Sequence, residues 1–409
     1  MSPGPLAHVT VLDLSRILAG PWCTQHLADL GATVLKIERP GTGDDTRGWG
    51  PPYVKDANGE DTTEAAYYLA CNRGKQSIAV DFTVPEGRAI VEALARTADV
   101  FVENYKLGGL AKYGLDYASI AKVNARIVYC SITGFGQSGP YAERAGYDFI
   151  IQGMSGFMSV TGEADDQPGG GPQKAGVAIT DLVTGLFAAT GILAALAQRD
   201  RTGVGQHIDA NLLDSAVSMM SVMNLNYLTT GIAPRRLGNA HPNIVPYQTF
   251  ACADGHVIVA VGNDTQFAKF CEVAGKPEWA GDARFARNAD RVRRRDELVP
   301  MIDAVMRGRT QHEWLESLER VGVPCGPINT LDQVFDDPHV LARNMRIDVS
   351  HPTAGKVPQV GLPLRFSGTS ATYDRAPPLL GEHTAAVLLR RLGYDEARIR
   401  ELTAQGVVG

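Results

Sequence analysis

The sequence predicts a large doubly wound, Rossmann-like α/β domain with a smaller α+β domain inserted into it. Three observations carry this. Short β-branched runs alternate with helical patterns through the first half of the chain, a long apolar helix follows them, and past Gly231 the text changes to a hairpin and charged helices. Runs of the first kind, apolar throughout, belong to a parallel sheet covered on both faces by helices.

The elements follow in order. VTVLDLS, TVLKIE and SIAVDF read as strands, with helices near Pro21 to Leu30, before Cys71 and over PEGRAIVEALARTA. Pro85 suits the first turn of the last helix, where its missing N–H has no partner to lose. DVFVENY and RIVYCSIT continue the sheet. A helix over about Ala178 to Arg199 places Ile179, Leu182, Val183, Leu186, Phe187, Leu193 and Leu196 on a 3.6-residue stripe, which reads as its core face. A second apolar helix runs through Asp214 to Tyr227. TFACADGHVIVAVG reads as two strands turning at Asp254-Gly255, and VPCGPINT as a linker leading out. The boundaries expected are 1–210 and 325–409 for the large domain, 211–230 for a linker helix, and 231–324 for the small domain and linker.

With 409 residues, 44% hydrophobic and 21% charged, the chain has the composition of a globular protein and not of a disordered one. The balance of 39 basic against 45 acidic residues, a net charge of −6, disfavours a nucleic-acid partner. The six cysteines show no C-x-x-C pair, so they read as reduced thiols. The N-terminus lacks the charge and apolar run of a secretory signal, and the expected location is the cytoplasm. The stretch Val177 to Ala197 contains Asp181, Gly185 and Gly191, which favours a buried helix over a membrane span. There is no P-loop and no serine elbow, and the nine histidines have no ligand spacing, so no metal is expected.

Asp181 is the sole formal charge between Val177 and Ala197. It reads either as a helix-start acid, with Thr180 as a cap, or as a nucleophilic carboxylate that the helix N-terminal N–H groups keep ionised. GFGQSG, Gly134 to Gly139, fits G-x-G-x-x-G, but Pro140 follows where a dinucleotide site would open a helix. A glycine loop near a reacting group fits the same residues. Lys36, Arg39, Arg47, Arg73, Lys75, Lys106, Lys112 and Arg144 recur near predicted strand ends, where open α/β sheets bind ligands. Trp49 and Tyr53 read either as a cover for an aromatic or adenine ring or as part of a surface loop.

Taken together, VLDLSRILAGP, GATVLKIERPGTGDDTR, NRGKQSIAVDF, ADVFVENY, TGFGQSGPY, RAGYD, GVAITDL, RTGVGQHID, GNAHPNIVPYQ and PPLLGEHT resemble the class III CoA-transferases over nearly the full length. The resemblance implies that Asp181 is the nucleophile, attacking an acyl-CoA thioester to give an anhydride and then an aspartyl-CoA thioester. It implies CoA against Arg39, Asn72, Arg73, Lys75, Asn104 and Lys112, with Gly134 and Gly136 near the oxyanion and Asp148 close to the active site. It also implies an interlocked homodimer, acyl-CoA and carboxylic acid substrates, no membrane, and no permanently bound cofactor beyond CoA carried as substrate. Leu18 stands where formyl-CoA transferases have glutamine, and the loop with Asn239 and His241 resembles members that use succinyl-CoA and a dicarboxylic acid. The racemases of the same superfamily carry histidine where this chain has Tyr147. A phenol of ordinary pKa near 10 is a poor base at neutral pH, so transfer is favoured over racemisation or a non-catalytic CoA-binding role.

Overall fold

The computed structural model describes residues 4–371 and 373–409. Two compact units emerge. The large one comprises the described residues through Gly156, Ala175–Leu225 and His339–Gly409; the small one comprises Phe157–Lys174 and Asn226–Pro338.

In the large unit, β1 (Thr10–Asp13), β2 (Thr33–Glu38), a separate hairpin of β3 (Tyr53–Lys55) and β4 (Asp61–Ala65), then β5 (Lys75–Ala79), β6 (Val100–Glu103), β7 (Val128–Thr133) and β8 (Gln206–Asn211) follow along the chain. Six of them form one parallel sheet in the order β5-β2-β1-β6-β7-β8. Counted along the chain, that is 3-2-1-4-5-6, the doubly wound order whose direction reverses between β1 and β6. Alternate residues point to opposite faces. Val11, Val34, Val100 and Val128 pack beneath Leu27 and Ile192. Leu12, Leu35, Phe101 and Tyr129 pack against Ile90, Val91 and Leu388 on the other side.

The helices up to residue 230 are α1 (Ala19–Asp29), α2 (Ala66–Leu69), α3 (Pro85–Ala95), α4 (Tyr117–Val123), α5 (Asp148–Met154), α6 (Phe157–Val160), α7 (Ile179–Thr202), α8 (Leu212–Met219) and α9 (Ser221–Thr230). The stripe expected to be the core face of α7 is corrected. Leu186 and Phe187 are each 47% exposed, whereas Thr184, Gly185, Ala188, Ala189, Ile192 and Ala195 are buried. The cause is the closeness of α1. A Cβ on Gly185 would stand 2.7 Å from the Ala19 carbonyl oxygen, so the contact face needs small residues and the large ones turn outward.

The helix expected over Asp214 to Tyr227 is two, broken at Ser221, which has φ +42°. Strand β8 was not anticipated because QHIDAN at the sheet edge is half exposed and lacks an apolar run. The antiparallel pair Arg346–His351 and Gly355–Val360 also escaped the sequence reading.

In the small unit, Tyr247–Ala251 and His256–Ala260 form the expected hairpin, and Cys325–Gly326 adds a third strand inside the segment read as a linker. Its core holds Phe250, Phe267, Phe270 and Trp314. The buried Arg291 is satisfied by the Val245 and Phe285 carbonyls and by Asp264. The observed division also differs from the expected boundaries: α8 packs on α5 and α7 within the large unit, and 157–174 joins the small one.

Candidate active site

A cavity of about 500 Å³ opens at the carboxyl ends of β1, β6 and β7, at the reversal of strand order. The loop after β1 contributes Arg16, Ile17 and Leu18. Ile17 sits at φ +71°, a sterically costly conformation for a β-branched residue. It is held there from two sides: Asp44 Oδ1 accepts from Ile17 N at 3.2 Å, and Asn104 exchanges two hydrogen bonds with the Arg16 backbone. Strain over-determined in this way at a cavity wall marks a functional loop. Leu18 is buried and immediately precedes α1.

Asp181 lines the same cavity from the first turn of α7. Gly185, one turn later, draws the start of α7 against α1 and thereby brings Asp181 to the wall. Asp181 is not held ionised by the helix terminus as the sequence reading expected. Ile179 N donates to the Val177 carbonyl and Thr180 N to Asp148 Oδ1. Among the described residues no donor reaches the Asp181 carboxylate. Burial, reinforced by the negative charge of Asp148, pushes its pKa up to about 7. Thr180 does not cap the helix; its hydroxyl donates to Asp148 at 2.8 Å.

Lys112 and Asn104 line the cavity with Gly134 and Tyr147, the last largely exposed. Asp148 lies behind the wall. Gly136 is not in the lining, and its N–H is taken by Thr133 Oγ1 at 2.9 Å, so it is no oxyanion donor in this arrangement. Gly134 is needed for packing: a Cβ there would meet the Gly146 Cα at 2.5 Å. No helix opens after GFGQSG, which is a loop before α5. Arg39 is exposed on a neighbouring cavity of about 550 Å³ that shares Arg16, Phe82, Thr83 and Tyr105 with the first.

Three expected CoA contacts are corrected. Arg73 is buried and paired with Asp29 at 2.7 Å, Lys75 is buried and bound to Asp13 at 3.1 Å, and Asn72 accepts from Lys75 at 2.9 Å. Their donors are spent inside the protein, and none of the three lines either cavity. Lys36 and Arg47 are likewise engaged, by Asp44 and Glu38. Burial alone would raise the Asp13 pKa, but Lys75 and Lys36 hold it below the usual carboxylate range. The cluster ties β1, β2 and β5 to one another.

Asn239 and His241 belong to the small unit. There the His241 ring lies 5.2 Å from Tyr247, and Arg295 donates to the His241 and Pro242 carbonyls. Burial and Arg295 lower its pKa, so the imidazole is neutral at pH 7.

Sequence reasoning missed Tyr67. Its phenol is pushed up to about 12 by burial and then by the negative charge of Asp181, and its ring packs edge-on against Trp49 at 5.0 Å. The aromatic pair Tyr67-Tyr68 was the available signal. Among the described residues no group of three or more His, Cys, Asp or Glu could hold a metal ion.

A doubly wound sheet with a carboxylate nucleophile candidate at its switch point, and lysine and arginine on the same cavity, suits covalent carboxylate catalysis on an anionic substrate. The profile of CoA-transferase family III matches residues 6–384, and the chain belongs to that family. It is 50% identical over 384 residues to the succinate–glutarate CoA-transferase of Agrobacterium fabrum, covering 94% of this chain and 95% of that protein. It is 46% identical over 404 residues to the succinyl-CoA:glutarate CoA-transferase of Mus musculus, covering 99% of this chain and 90% of that protein. The crystal structure of a CaiB/BaiF family protein from Brucella suis matches with a TM-score of 0.83 at 49% identity, covering 95% of this chain and all of that one, 100%.

Proposed function

We propose that the protein moves CoA from succinyl-CoA to a dicarboxylic acid of the glutarate class, with Asp181 as the nucleophile. The observation that carries this is a half-buried aspartate on the wall of the switch-point cavity, reached by no hydrogen-bond donor among the described residues. The names of the 50% and 46% identical relatives support the substrate class.

An Asp181 oxygen attacks the thioester carbonyl; a C–O bond forms, the C–S bond breaks, and CoA leaves as thiolate. The thiolate then attacks the Asp181 carbonyl of the anhydride, releasing succinate and leaving an aspartyl-CoA thioester. The acceptor carboxylate attacks that thioester, thiolate leaves again, and its return to the acceptor acyl carbon frees Asp181. One thioester is exchanged for another, so no nucleotide hydrolysis is required and CoA serves as substrate.

Lys106, Lys112 and Arg144 on the Asp181 cavity and Arg39 on its neighbour supply the local positive charge for CoA phosphates against a net charge of −6. The helix Ile179–Thr202 is long and apolar enough to cross a membrane. We read it instead as a core helix whose exposed Leu186, Phe187 and Leu193, with Val217 and Val222, are covered by a second copy of the chain. The six free thiols suit a reducing compartment such as the cytoplasm.

Incubation with succinyl-CoA followed by hydroxylamine tests the reading. Inactivation with modification at Asp181, and glutarate-dependent CoA exchange, are expected. Absence of any Asp181-dependent adduct across a panel of acyl-CoA donors overturns it, and α-deuterium loss from a 2-methylacyl-CoA without acid exchange replaces it with racemisation.

A further inference from the structure

Asp148 is the charge that acts on Asp181, and it is not free to turn away. Its Oδ1 accepts from Thr180 N at 2.9 Å and from Thr180 Oγ1 at 2.8 Å. Its Oδ2 accepts from Gln152 Nε2 at 2.7 Å. Gln152 lies one turn along α5 and is fully buried, and its Oε1 accepts from Ala175 N at 2.8 Å. That bond fixes which way the amide faces, because a backbone N–H can only donate, so Nε2 must point at Asp148. Three donors therefore hold the Asp148 carboxylate in place.

We propose that Gln152 is a positioning residue of the transfer reaction: it pins the Asp148 carboxylate to the first turn of α7, so that ionised Asp181 always faces a second negative charge. The inference rests on the reading of Asp181 as nucleophile. When an Asp181 oxygen bonds the thioester carbon, the electron pair of the broken C–S bond leaves on sulfur. Asp181 is then a neutral acyl group in both the anhydride and the aspartyl thioester. The repulsion exists only in the resting anion, which is thereby destabilised relative to both covalent stages, and the interaction favours reaction over binding.

The other groups around Asp181 do not cancel this charge. Tyr67 of α2 is neutral at pH 7, and Arg16, Lys106, Lys112, Arg144 and Tyr147 stand elsewhere on the cavity wall. Of the elements packed on α7, α1 brings Cys23, His26 and an Asp29 already paired with Arg73; β7 brings Cys130, β8 brings His207 and Asp209, and α8 brings Asp214, which is bound to Asn211. Among the described residues, Asp148 is the charge that acts on Asp181.

The test is the pH dependence of single-turnover formation of the hydroxylamine-trapped Asp181 adduct from succinyl-CoA, with melting curves for each variant. In Asp148→Asn the half-point of the acid limb is expected to fall by about one unit or more, with a roughly tenfold lower plateau rate. Gln152→Leu should move both in the same direction, and the double variant no further than Asp148→Asn. A merely structural Gln152 would lower melting temperature and rate without moving the limb. Asp148→Asn preserves size and keeps the test decisive where Gln152→Leu does not fold. A limb unmoved in the folded variants, with the adduct still trapped, overturns this proposal alone; no adduct in the unmodified protein overturns it together with the role of Asp181.

Discussion

Asn104 and Arg16 exchange hydrogen bonds across the reversal of strand order: Arg16 N donates to Asn104 Oδ1 at 2.9 Å, and Asn104 Nδ2 donates to the Arg16 carbonyl at 2.6 Å. A side chain that lines the cavity thereby also ties the loop after β1 to the loop after β6. Both loops line the cavity together with Gly134. Asn104→Ala should release the strained Ile17 segment and lower kcat/KM for succinyl-CoA about tenfold or more, corresponding to about 1.4 kcal/mol, while melting temperature changes little. Steady-state kinetics beside thermal melting check this, and an unchanged kcat/KM would refute the tie.

Asp181 should impose a pH dependence on activity and on stability. Its carboxylate form grows as pH rises through about 7, so kcat/KM should climb about tenfold per unit below that value and level above it. For stability the sign is opposite. The folded state binds a proton that the unfolded state has released above its ordinary value near 3.9, so folding weakens as pH rises from about 4 to about 7. Asp181→Asn should therefore abolish transfer yet raise stability at pH 8 by on the order of 2–4 kcal/mol, with little gain at pH 4. Denaturant titration at both pH values measures it; equal effects at pH 4 and 8 would contradict the assignment.

Lys75 and Arg39 should separate structure from binding. Lys75 is fully buried against Asp13, and Lys75→Ala leaves that carboxylate without its partner, costing about 3–5 kcal/mol. Arg39 is exposed on the neighbouring cavity, so Arg39→Ala should change stability by no more than about 0.5 kcal/mol. Its effect should fall on the KM for acyl-CoA. Denaturant melts and initial rates of the two variants distinguish the roles, and a Lys75→Ala protein of normal stability would show the ion pair to be dispensable.

Two glycines of α7 should respond oppositely to alanine. At Gly191 the added methyl would lie 3.4 Å from the Ile208 side chain, ordinary contact, so helix propensity should dominate and stabilise by up to about 1 kcal/mol. At Gly185 it would lie 2.7 Å from the Ala19 carbonyl, and forcing α1 and α7 apart should cost about 1–3 kcal/mol. The same displacement moves Asp181, so Gly185→Ala should also lose activity. Equal melting temperatures for the two variants would contradict the packing account.

The sequence by itself determined the doubly wound sheet, the hairpin at Asp254-Gly255, the family, and Asp181 as the unusual acid. Each follows from local pattern or from a motif carried in consecutive residues. Which face of α7 is buried could not be read there, because the apolar stripe ranks residues by hydrophobicity whereas the closeness of α1 selects them by size. The cations could not be sorted either. Arg73, Lys75, Arg39 and Lys112 are alike in sequence, and only tertiary contacts decide that Asp29 and Asp13 bury the first two while the last two stay at the cavities. The ionisation of Asp181 was decided in the same way. A helix start suggests a stabilised anion, but Thr180 N is given to Asp148, a residue 32 positions earlier in the chain, and burial beside that second charge reverses the sign.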